Sequence, residues 1–487
     1  MGANRSRRPE YPAGNGVTAA GAGARARGTT PGRRPARRLP PVADDPGRTS
    51  GTACGTGLLT DHYELTMLAG ALRSGVASRR AVFEVFARHL PHGRRYGVVA
   101  GTGRLLDALE QFRFGPDDIA FLRETQVTDE AALRYLESYA FTGDIWGYAE
   151  GDCYFPGSPI LVVESTFAEA VVLETLALSV LNHDCAIASA ASRMVTAAGG
   201  RPLIEMGSRR THERAAVAAA RAAHITGFAT TSNLRAGRDY GVPTRGTSAH
   251  AFTLVHDSER EAFRAQLATL GKGTTLLVDT FDVADAVRAA VELAGPDLGA
   301  VRIDSGDLAT TARQVRALLD ELGAPKTRIT LTGDLDEHSI AALATAPVDG
   351  YGVGTALVTG SGAPTAALVY KLVARSLGPG PGARLLPVAK LSVGKPSRGG
   401  RKWAVRQLDS HGTAVAERVS VEPPDPSAGG RVLLQPLVRQ GEIVGRRTLE
   451  QARQHHRDSL AELPVHALQL SRGYPAIPTV MDADDHG

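Results

Sequence analysis

The sequence predicts an α/β fold in which a parallel, TIM-like α/β barrel at 155–375 lies between two segments that form a second α/β domain. Through the middle of the chain, short β-branched runs alternate with alanine- and leucine-rich stretches, a pattern typical of parallel strands with crossover helices. Polar and glycine residues follow nearly every predicted strand. Because the carboxyl ends of barrel strands meet at one rim, we expect the active site there.

The first 55 residues differ from the rest in composition. Residues 1–48 hold ten arginines against three acidic residues, a net charge of +7, whereas the whole chain carries +4. With almost no large apolar side chains, the segment 1–55 cannot offset the entropy lost on ordering, so we expect a disordered tail. No apolar signal-peptide core follows the arginines. A solvated tail, an over-extended translation start and a nucleic-acid-binding arm are the open explanations, and the folded body carries no basic excess.

Cysteine content and hydropathy restrict the class of protein. The three cysteines, Cys54, Cys153 and Cys185, show no C-x-x-C or Cys/His spacing, so neither a disulfide framework nor a structural zinc site is indicated. The chain contains no uninterrupted apolar run of about 18 residues, the length that a membrane span needs. We therefore expect a cytoplasmic protein with reduced thiols.

The segment 56–154 is predicted to form an N-terminal α/β domain. Its first helix begins after Thr60 or Asp61, both good N-caps, and would place the apolar residues 63, 67, 68 and 72 on one face. Tyr63 then lies in the first turn, near a helix N-terminus that favours anions, and either core packing or stacking on a ligand explains it. A strand at 81–86 and helices at 101–113 and 129–141 follow.

The barrel segment alternates regularly between strands and helices. Strands are predicted at 160–163, 202–206, 225–228, 275–278, 300–303, 328–331 and 348–353. Helices are predicted at 166–181, 186–198, 213–223, 283–294 and 308–322.

The segment 376–470 is predicted to be rich in strands and to pack on the N-terminal domain. It opens with a glycine- and proline-rich linker at 377–387 and ends with a helix at about 447–461. Between them lie two alternating segments, 390–393 and 402–407, and a loop at 423–430. Residues 471–487 are expected to form a loose tail.

The residues that follow the barrel strands suit a phosphorylated substrate that contains ribose. Gly354 and Thr355 follow the last strand, where backbone amides commonly hold a phosphate in barrels. Arginines 209, 210 and 302 provide forked donors for a carboxylate or phosphate. Aspartates 279, 304, 307 and 334 can hold ribose hydroxyls or Mg²⁺ through hard oxygen atoms. Helix N-capping is the alternative for each aspartate, and it is the better explanation for Asp282 and Asp307.

The turn Gly246–Phe252 delivers His250 into an apolar run. An imidazole can act as a nucleophile or carry a proton near neutral pH. The small residues that precede it allow backbone amides to approach an anionic ligand closely. A hydrogen-bonded core histidine is the alternative, and the polar residues after the strands favour the catalytic interpretation.

Six motifs in register resemble nicotinate phosphoribosyltransferases over residues 56–470. They are Leu59–Met67 (LTDHYELTM), Glu205–Arg210 (EMGSRR), Thr231–Asn233 (TSN), Gly246–His250 (GTSAH), Val301–Asp307 (VRIDSGD) and Tyr351–Thr355 (YGVGT). The resemblance implies a type II phosphoribosyltransferase: an irregular α/β barrel with a second domain built from both chain ends, acting as a homodimer with shared sites.

That family joins nicotinate to phosphoribosyl pyrophosphate, giving nicotinate mononucleotide and pyrophosphate, with Mg²⁺ present and ATP hydrolysis coupled through a transient phosphohistidine. By resemblance, His250 is the phosphorylated residue, Tyr63, Thr247 and Arg302 bind the base, and Thr355 contacts the phosphoribosyl donor. Arg209, Asp304, Asp334 and Gly354 are expected to bind the other substrate groups through the chemistry described above.

Two alternatives are set beside this function. The amide-using relative, nicotinamide phosphoribosyltransferase, shares the barrel and the histidine, but it has an aspartate where this chain has Ser232. A catalytically silent barrel, acting as an arginine-tailed RNA-binding or scaffold protein, is the other. The intact Tyr63, Arg209, His250 and Arg302 argue against a silent barrel.

Overall fold

The computed structural model describes residues 55–380, 382–390, 398–425 and 429–482. The predicted tail at 1–55 therefore lies outside the described residues except for Gly55, and so does Cys54. Cys153 and Cys185 are buried free thiols. In the described ranges, none of the helices has the length and apolar character needed to cross a membrane.

The segment before the barrel forms four helices and five strands. They are α1 His62–Ser74, β1 Arg79–Ala87, β2 Gly97–Val98, α2 Thr102–Glu110, α3 Pro116–Glu124, α4 Glu130–Glu137, β3 Asp144–Gly147, β4 Cys153–Tyr154 and β5 Pro159–Thr166.

Helix α1 begins where the sequence predicts, but a different face of it is buried. Asp61 is the N-cap, and its side chain accepts a hydrogen bond from the His62 amide. The buried side chains include Glu64, whose carboxylate accepts hydrogen bonds from the hydroxyl groups of Thr60 and Thr175. These bonds let a charged group occupy the core. Tyr63 and Met67, predicted to share the apolar face, are exposed instead.

The barrel segment supplies six further strands and ten helices. They are α5 Phe167–Val171, α6 Glu174–Ala198, β6 Leu203–Glu205, α7 Glu213–Ile225, β7 Thr230–Thr231, α8 Leu234–Tyr240, α9 His250–Leu254, α10 Glu259–Leu270, β8 Thr275–Leu277, α11 Val283–Ala294, β9 Ala300–Ile303, α12 Leu308–Glu321, β10 Arg328–Leu331, α13 Glu337–Ala342, β11 Gly350–Val353 and α14 Thr355–Val358.

Six strands of this segment form one parallel sheet in the order β7-β6-β11-β10-β9-β8, which is the irregular, TIM-like barrel that the sequence predicts. A parallel bridge between Thr231 and Thr244 continues the sheet beyond β7. Buried residues of the strands, such as Ile303 and Leu331, join residues of α11 and α12 in one apolar core. The sheet register aligns the carboxyl ends of all six strands, so the residues that follow them are neighbours.

Three local predictions in the barrel segment were wrong. The strand predicted at 160–163 belongs to β5, which pairs antiparallel with β1 and β3 in the sheet of the second domain and not with the barrel strands. The strand expected at 225–228 is the end of α7 and a turn, because Gly227 adopts a positive φ of 125° and breaks the run before β7. The helices predicted at 166–181 and 186–198 are instead the short α5 and one long helix, α6, of 25 residues. The residues at 182–186 are Asn-His-Asp-Cys-Ala, which include neither glycine nor proline, so nothing there ends the helix.

The C-terminal segment adds eight strands and one helix. They are β12 Leu368–Pro379, β13 Leu385–Pro387, β14 Trp403–Leu408, β15 Ala414–Ser420, β16 Arg431–Val432, β17 Gln435–Arg439, β18 Glu442–Ile443, α15 Leu449–Ala461 and β19 Thr479–Met481.

Strands from both chain ends share one sheet in the order β13-β12-β1-β5-β3-β17-β18, so the second domain is built from the N- and C-terminal segments. The predicted linker at 377–387 is a hairpin: β12 pairs with β1 as far as Pro379, and β13 pairs back onto β12. Among the described residues, Gly378, Pro379 and Pro387 lie in these two strands, so the segment is not a spacer.

A third sheet, in the order β16-β14-β15-β19, corrects the prediction of a loose tail at 471–487. Thr479–Met481 pairs in parallel with β15, since its backbone completes an otherwise open edge. Of the alternating segment predicted at 390–393, only Lys390 lies among the described residues, where it belongs to no strand.

A buried ion network joins this sheet to helix α15 and to the first segment. Arg406, fully buried, pairs with Asp152 and Glu417, and Arg431 pairs with Asp152 and Glu462. Burial alone would raise the pKa of Asp152, but a hydrogen bond from His455 and the two guanidinium charges lower it well below its ordinary value. Breaking one member would leave a buried charge unpaired.

Candidate active site

The polar residues predicted to meet at the barrel rim are joined by hydrogen bonds across strands. The Asp304 amide and the Ser305 hydroxyl donate to Asp279 Oδ2 at 2.8 and 2.7 Å, which connects the loops after β8 and β9. The Thr332 hydroxyl, after β10, donates to Asp304 Oδ1. Loops that lie far apart in sequence are therefore held in one cluster.

Arg302, on β9, is the centre of this cluster. Its Nε donates to Thr332 Oγ1 at 2.9 Å, Nη1 to Thr247 Oγ1 at 2.8 Å, and Nη2 to Asp304 Oδ1 at 2.8 Å. Nη1 also donates to the Ser248 carbonyl at 3.2 Å. Because every branch of the planar fork is engaged, the guanidinium is fixed in one orientation, with only 12% of the side chain exposed.

The Asp304 carboxyl is held ionised by its neighbours. Partial burial acts to raise its pKa, but the hydrogen bonds from Thr332 and Arg302 and the charge of Arg302 outweigh burial and lower the pKa. Asp304 therefore remains an acceptor, able to bind hydroxyl groups or a cation.

His250 stands at the first position of α9, beside this cluster. Its Nδ1 lies 3.2 Å from Thr280 Oγ1, and its Nε2 lies 3.9 Å from Asp304 Oδ2. With 40% of the side chain exposed, the imidazole is not a core residue. If Nδ1 carries the proton and donates to Thr280, the lone pair lies on Nε2, which is then free to act as a nucleophile.

A second connection joins the ends of β6 and β7. The buried Glu205 carboxylate accepts hydrogen bonds from the Thr231 hydroxyl and the Gly207 amide, and the Ser232 amide donates to the Glu205 carbonyl at 2.8 Å. Burial outweighs these bonds and raises the pKa of Glu205. The connection positions Arg209 and Ser232, whose side chains are both exposed at the rim.

Glycines allow the rim loops to approach one another closely. Gly333 has φ +98°, and a Cβ there would lie 2.2 Å from the Asp304 carbonyl oxygen. Gly354 precedes α14, and Thr355 is the first, exposed residue of that helix. Asp334 is exposed beside Gly333. Gly333, Asp334, Gly354 and Thr355 therefore all follow the carboxyl ends of barrel strands.

Comparison with known proteins decides the family of this chain. Residues 58–182 match the nicotinate phosphoribosyltransferase N-terminal domain, and residues 202–377 match the nicotinate phosphoribosyltransferase family. The nicotinate phosphoribosyltransferase pncB1 of Mycobacterium tuberculosis is 60% identical over 433 residues, which are 87% of this chain and 94% of that protein. The chain belongs to the nicotinate phosphoribosyltransferase family.

More distant relatives agree with this assignment. The nicotinate phosphoribosyltransferase of Bacillus subtilis is 38% identical over 326 residues, covering 65% of this chain and 66% of that one. The crystal structure of the human nicotinic acid phosphoribosyltransferase superposes with a TM-score of 0.72 at 25% identity, over 87% of this chain and 97% of that chain. These comparisons support the enzyme interpretation over a silent barrel.

Tyr63 was predicted to bind the base, but it lies away from the rim cluster of this nicotinate phosphoribosyltransferase family member. Tyr63, on α1, lies close to Glu174 of α6. Burial and the carboxylates of Glu174 and Glu64 raise the pKa of its phenol. Among the described contacts of Tyr63, none involves a residue after a barrel strand.

The structure also reveals one acidic residue near the rim that the sequence did not single out. Glu259, the first residue of α10, has a pKa raised to about 7 by burial and by the charges of Asp279 and Asp282. Glu259 Oε1 and Asp279 Oδ1 are buried and accept no hydrogen bond within the described part of the chain. Glu259 follows no strand, so sequence position gave no signal for it.

Proposed function

We propose that this chain is an ATP-dependent nicotinate phosphoribosyltransferase that acts in NAD biosynthesis or salvage. The pyridine nitrogen of nicotinate forms a bond to C1 of the ribose, and the bond from C1 to pyrophosphate breaks, with the electron pair leaving on pyrophosphate. The observation that supports this most directly is the fixed guanidinium of Arg302 beside His250 and Asp304, in a chain 60% identical to a nicotinate phosphoribosyltransferase.

Substrate positioning accounts for most of the chemistry that the rim residues perform. The reacting ribose carbon becomes cationic, so the reaction needs no strong protein base. Arg302 and the Thr247 hydroxyl would orient the nicotinate carboxylate, and the ionised Asp304 would accept ribose hydroxyls. Arg209, Asp334 and the backbone at Gly354 and Thr355 would hold the phosphoribosyl donor.

His250 would couple ATP to this reaction. Its Nε2 attacks the γ-phosphorus of ATP, the bond to the bridging oxygen breaks, and ADP leaves. The Thr280 hydroxyl can accept a hydrogen bond from Nδ1, and in that tautomer Nε2 carries the lone pair. The phosphoryl group adds negative charge next to Asp304 and Arg302, and water later hydrolyses the phosphohistidine.

The rim carboxylates fit Mg²⁺ as a cofactor. Asp279 Oδ1 and Glu259 Oε1 are unpaired acceptors, and Asp304 is held ionised. Among the described residues no group of three His, Cys, Asp or Glu side chains could enclose a metal ion, which suits Mg²⁺ bound through one or two carboxylates, water and substrate phosphates. When bound, Mg²⁺ would neutralise charge on the leaving pyrophosphate.

A homodimer with shared sites would bring Tyr63 to a rim. One exposed apolar surface lies around the start of α1 and includes Leu59, Tyr63 and Met67. Another lies beside the rim cluster and includes Val255 and Phe281. Docking of the first surface onto the second in another copy would cover both and place Tyr63 next to the base.

Mixed dimers test this arrangement. The Tyr63→Ala and His250→Ala chains should each lack ATP-stimulated synthesis when expressed alone. A mixed dimer of the two has one intact site. Because about half of the dimers are mixed after co-expression, activity should return to about half of one site's activity per dimer on average. No gain above the separate variants would mean that each site is built from one chain.

The enzyme assay measures the pyridine mononucleotide and pyrophosphate formed from phosphoribosyl pyrophosphate, giving nicotinate mononucleotide from nicotinate or nicotinamide mononucleotide from nicotinamide, each with and without ATP. Nicotinate turnover that rises with ATP, accompanied by ADP release, is the expected result. Turnover of nicotinamide alone, or of neither base, would contradict the proposal.

A further inference from the structure

The barrel contains a cavity at the end opposite to the rim. It has a volume of about 510 Å³ and lies among the amino-terminal residues of the strands. We call it the inner cavity, and its wall includes Thr230, Thr275, Ala300, Thr330 and Gly350, one residue from each of five strands.

Small and polar side chains explain why this space is open. Barrel interiors are normally filled by bulky branched residues such as Val, Ile and Leu. Here Ile204 is a bulky branched residue, but most other strand residues that line the cavity are threonine, alanine or glycine, which leave the space open. A polar cavity of this size holds water or a ligand rather than remaining empty. The Thr230 hydroxyl is buried and has no hydrogen-bond partner within the described residues.

The charges around the inner cavity favour an anion. Arg245 and Arg328 line it, against a single acidic residue, Asp349, whose Oδ2 already accepts a hydrogen bond from the Ile329 amide at 2.7 Å. Arginine forks and threonine hydroxyls are donors that suit a carboxylate. No aromatic side chain of the described residues lines the cavity, so it offers no stacking surface for a nucleobase.

The inner cavity and the catalytic cluster share a wall. Thr247 lines the cavity, and its hydroxyl accepts the hydrogen bond from Arg302 Nη1. The Arg245 amide donates to the Thr231 carbonyl, so the segment that leads to His250 is fixed to β7 at this level. A ligand in the inner cavity would therefore contact the segment that positions both Arg302 and His250.

We propose that the inner cavity is a second binding site for a small monocarboxylate, a single ring that carries one carboxylate group, such as nicotinate. The choice of nicotinate as the ligand rests on the proposed function, whereas the existence of an anion site rests on the cavity itself. Apart from the shared Thr247, the cavity differs from the rim because the strand residues that line it lie at or near the amino-terminal ends of the strands.

Equilibrium dialysis with labelled nicotinate, without phosphoribosyl pyrophosphate or ATP, tests this proposal. Thr275→Leu fills the cavity, and Thr345→Leu makes the same change at an exposed position outside it. Wild type and Thr345→Leu should bind one equivalent per chain more than Thr275→Leu, whose affinity for that equivalent falls at least about tenfold. Equal stoichiometry in all three, or no binding to wild type, overturns the proposal.

A charge variant covers the case in which Thr275→Leu does not fold. Arg328→Gln should weaken only the additional equivalent, by about fivefold or more, and nicotinamide should compete for it at least about tenfold less well than nicotinate. Unchanged affinity in Arg328→Gln would overturn the proposal. If the additional equivalent is present but the chain makes no nicotinate mononucleotide, the proposed function fails and the cavity site stands.

Discussion

His250 is proposed to couple ATP hydrolysis to the reaction without forming the bond between nicotinate and ribose. We expect His250→Ala to lose stimulation by ATP while retaining a slow synthesis without ATP, because the imidazole does not itself form the glycosidic bond. Acid-labile label from γ-labelled ATP should disappear from the protein. Retained label in the variant would identify another residue as the phosphoryl acceptor.

Ser232 is expected to set the choice between the acid and the amide. An aspartate there would repel the nicotinate carboxylate by about 1 to 4 kcal/mol, depending on the effective dielectric, whereas a serine hydroxyl can donate to it. The wild type should prefer nicotinate by at least about tenfold in kcat/KM. Ser232→Asp should lower nicotinate use more than nicotinamide use, and a variant with its full nicotinate preference would remove this explanation.

For single residues, the sequence identified those that hydrogen-bond across the rim, but it did not identify several residues that hold them in place. Thr247, Arg302 and Asp304 are in contact, with His250 beside them, and all belong to recognisable motifs. Thr332 supports Arg302 and Asp304, and Glu205 supports the loop that carries Ser232, each through contacts between strands that are far apart in sequence. Such contacts depend on strand order and register, which periodicity does not reveal.

At the scale of secondary-structure elements, the loop after β10 lies very close to the loop after β9, and Gly333 is the point of contact. Gly333→Ala would push a Cβ against the Asp304 carbonyl, so we expect kcat/KM to fall at least about tenfold. Gly323→Ala is the matched control, since Gly323 also has a positive φ, +72°, but faces open space. It should lose only about 1 kcal/mol of stability. Equal activities of the two variants would contradict this role.

The errors in predicted elements have identifiable physical causes. The 377–387 segment looked like a linker because glycine and proline dominate it, yet pairing with β1 extends β12 to Pro379. The orientation of α1 was wrong because Glu64 is buried through hydrogen bonds from Thr60 and Thr175. In both cases tertiary partners overrode local pattern.

At the scale of the whole molecule, buried polar groups connect segments that lie far apart in the chain. One of them, His456, makes the stability of the protein depend on pH. Its Nδ1 donates to the Gly151 carbonyl at 2.9 Å, and its Nε2 lies 3.1 Å from Ser192 Oγ. Burial lowers the pKa of His456 from 6.5 to about 4. The unfolded chain therefore takes up a proton that the folded chain does not, and stability falls as pH drops from about 6.5 to about 4.

We expect this loss to reach about 3 kcal/mol, the free energy that corresponds to the shift in pKa. Thermal unfolding of His456→Gln, compared at pH 7 and pH 4.5 with wild type and the exposed His411→Gln, measures it. His456→Gln should lose less stability on acidification than the other two proteins. Identical pH dependence in all three would show that His456 is not buried in its neutral form.

Deletion of residues 1–52 is expected to leave turnover and the unfolding temperature unchanged. The segment has no apolar periodicity, and the first helix cap, Asp61, follows it. The assay compares full-length and truncated chains with nicotinate and ATP. Loss of folded protein on truncation would give the arginine-rich segment a structural role.

The overall architecture was predictable because strand-helix alternation fixes a parallel barrel, and the rule for barrel rims then locates the site. The sequence did not predict which strands of the two chain ends pair with each other. The pairing of Thr479–Met481 with β15 joins residues about 60 positions apart, and so short a run at the end of the chain was not predicted as a strand.

The account depends most directly on Arg302 as the fixed donor at the centre of the site. Steady-state kinetics of Arg302→Lys, beside the exposed Arg313→Lys, tests it, because lysine keeps the charge but cannot bond Thr247, Thr332 and Asp304 together. We predict that kcat/KM for nicotinate falls at least about 100-fold in Arg302→Lys and stays within about twofold of wild type in Arg313→Lys. Wild-type kinetics in Arg302→Lys would contradict the assignment of this cluster as the active site.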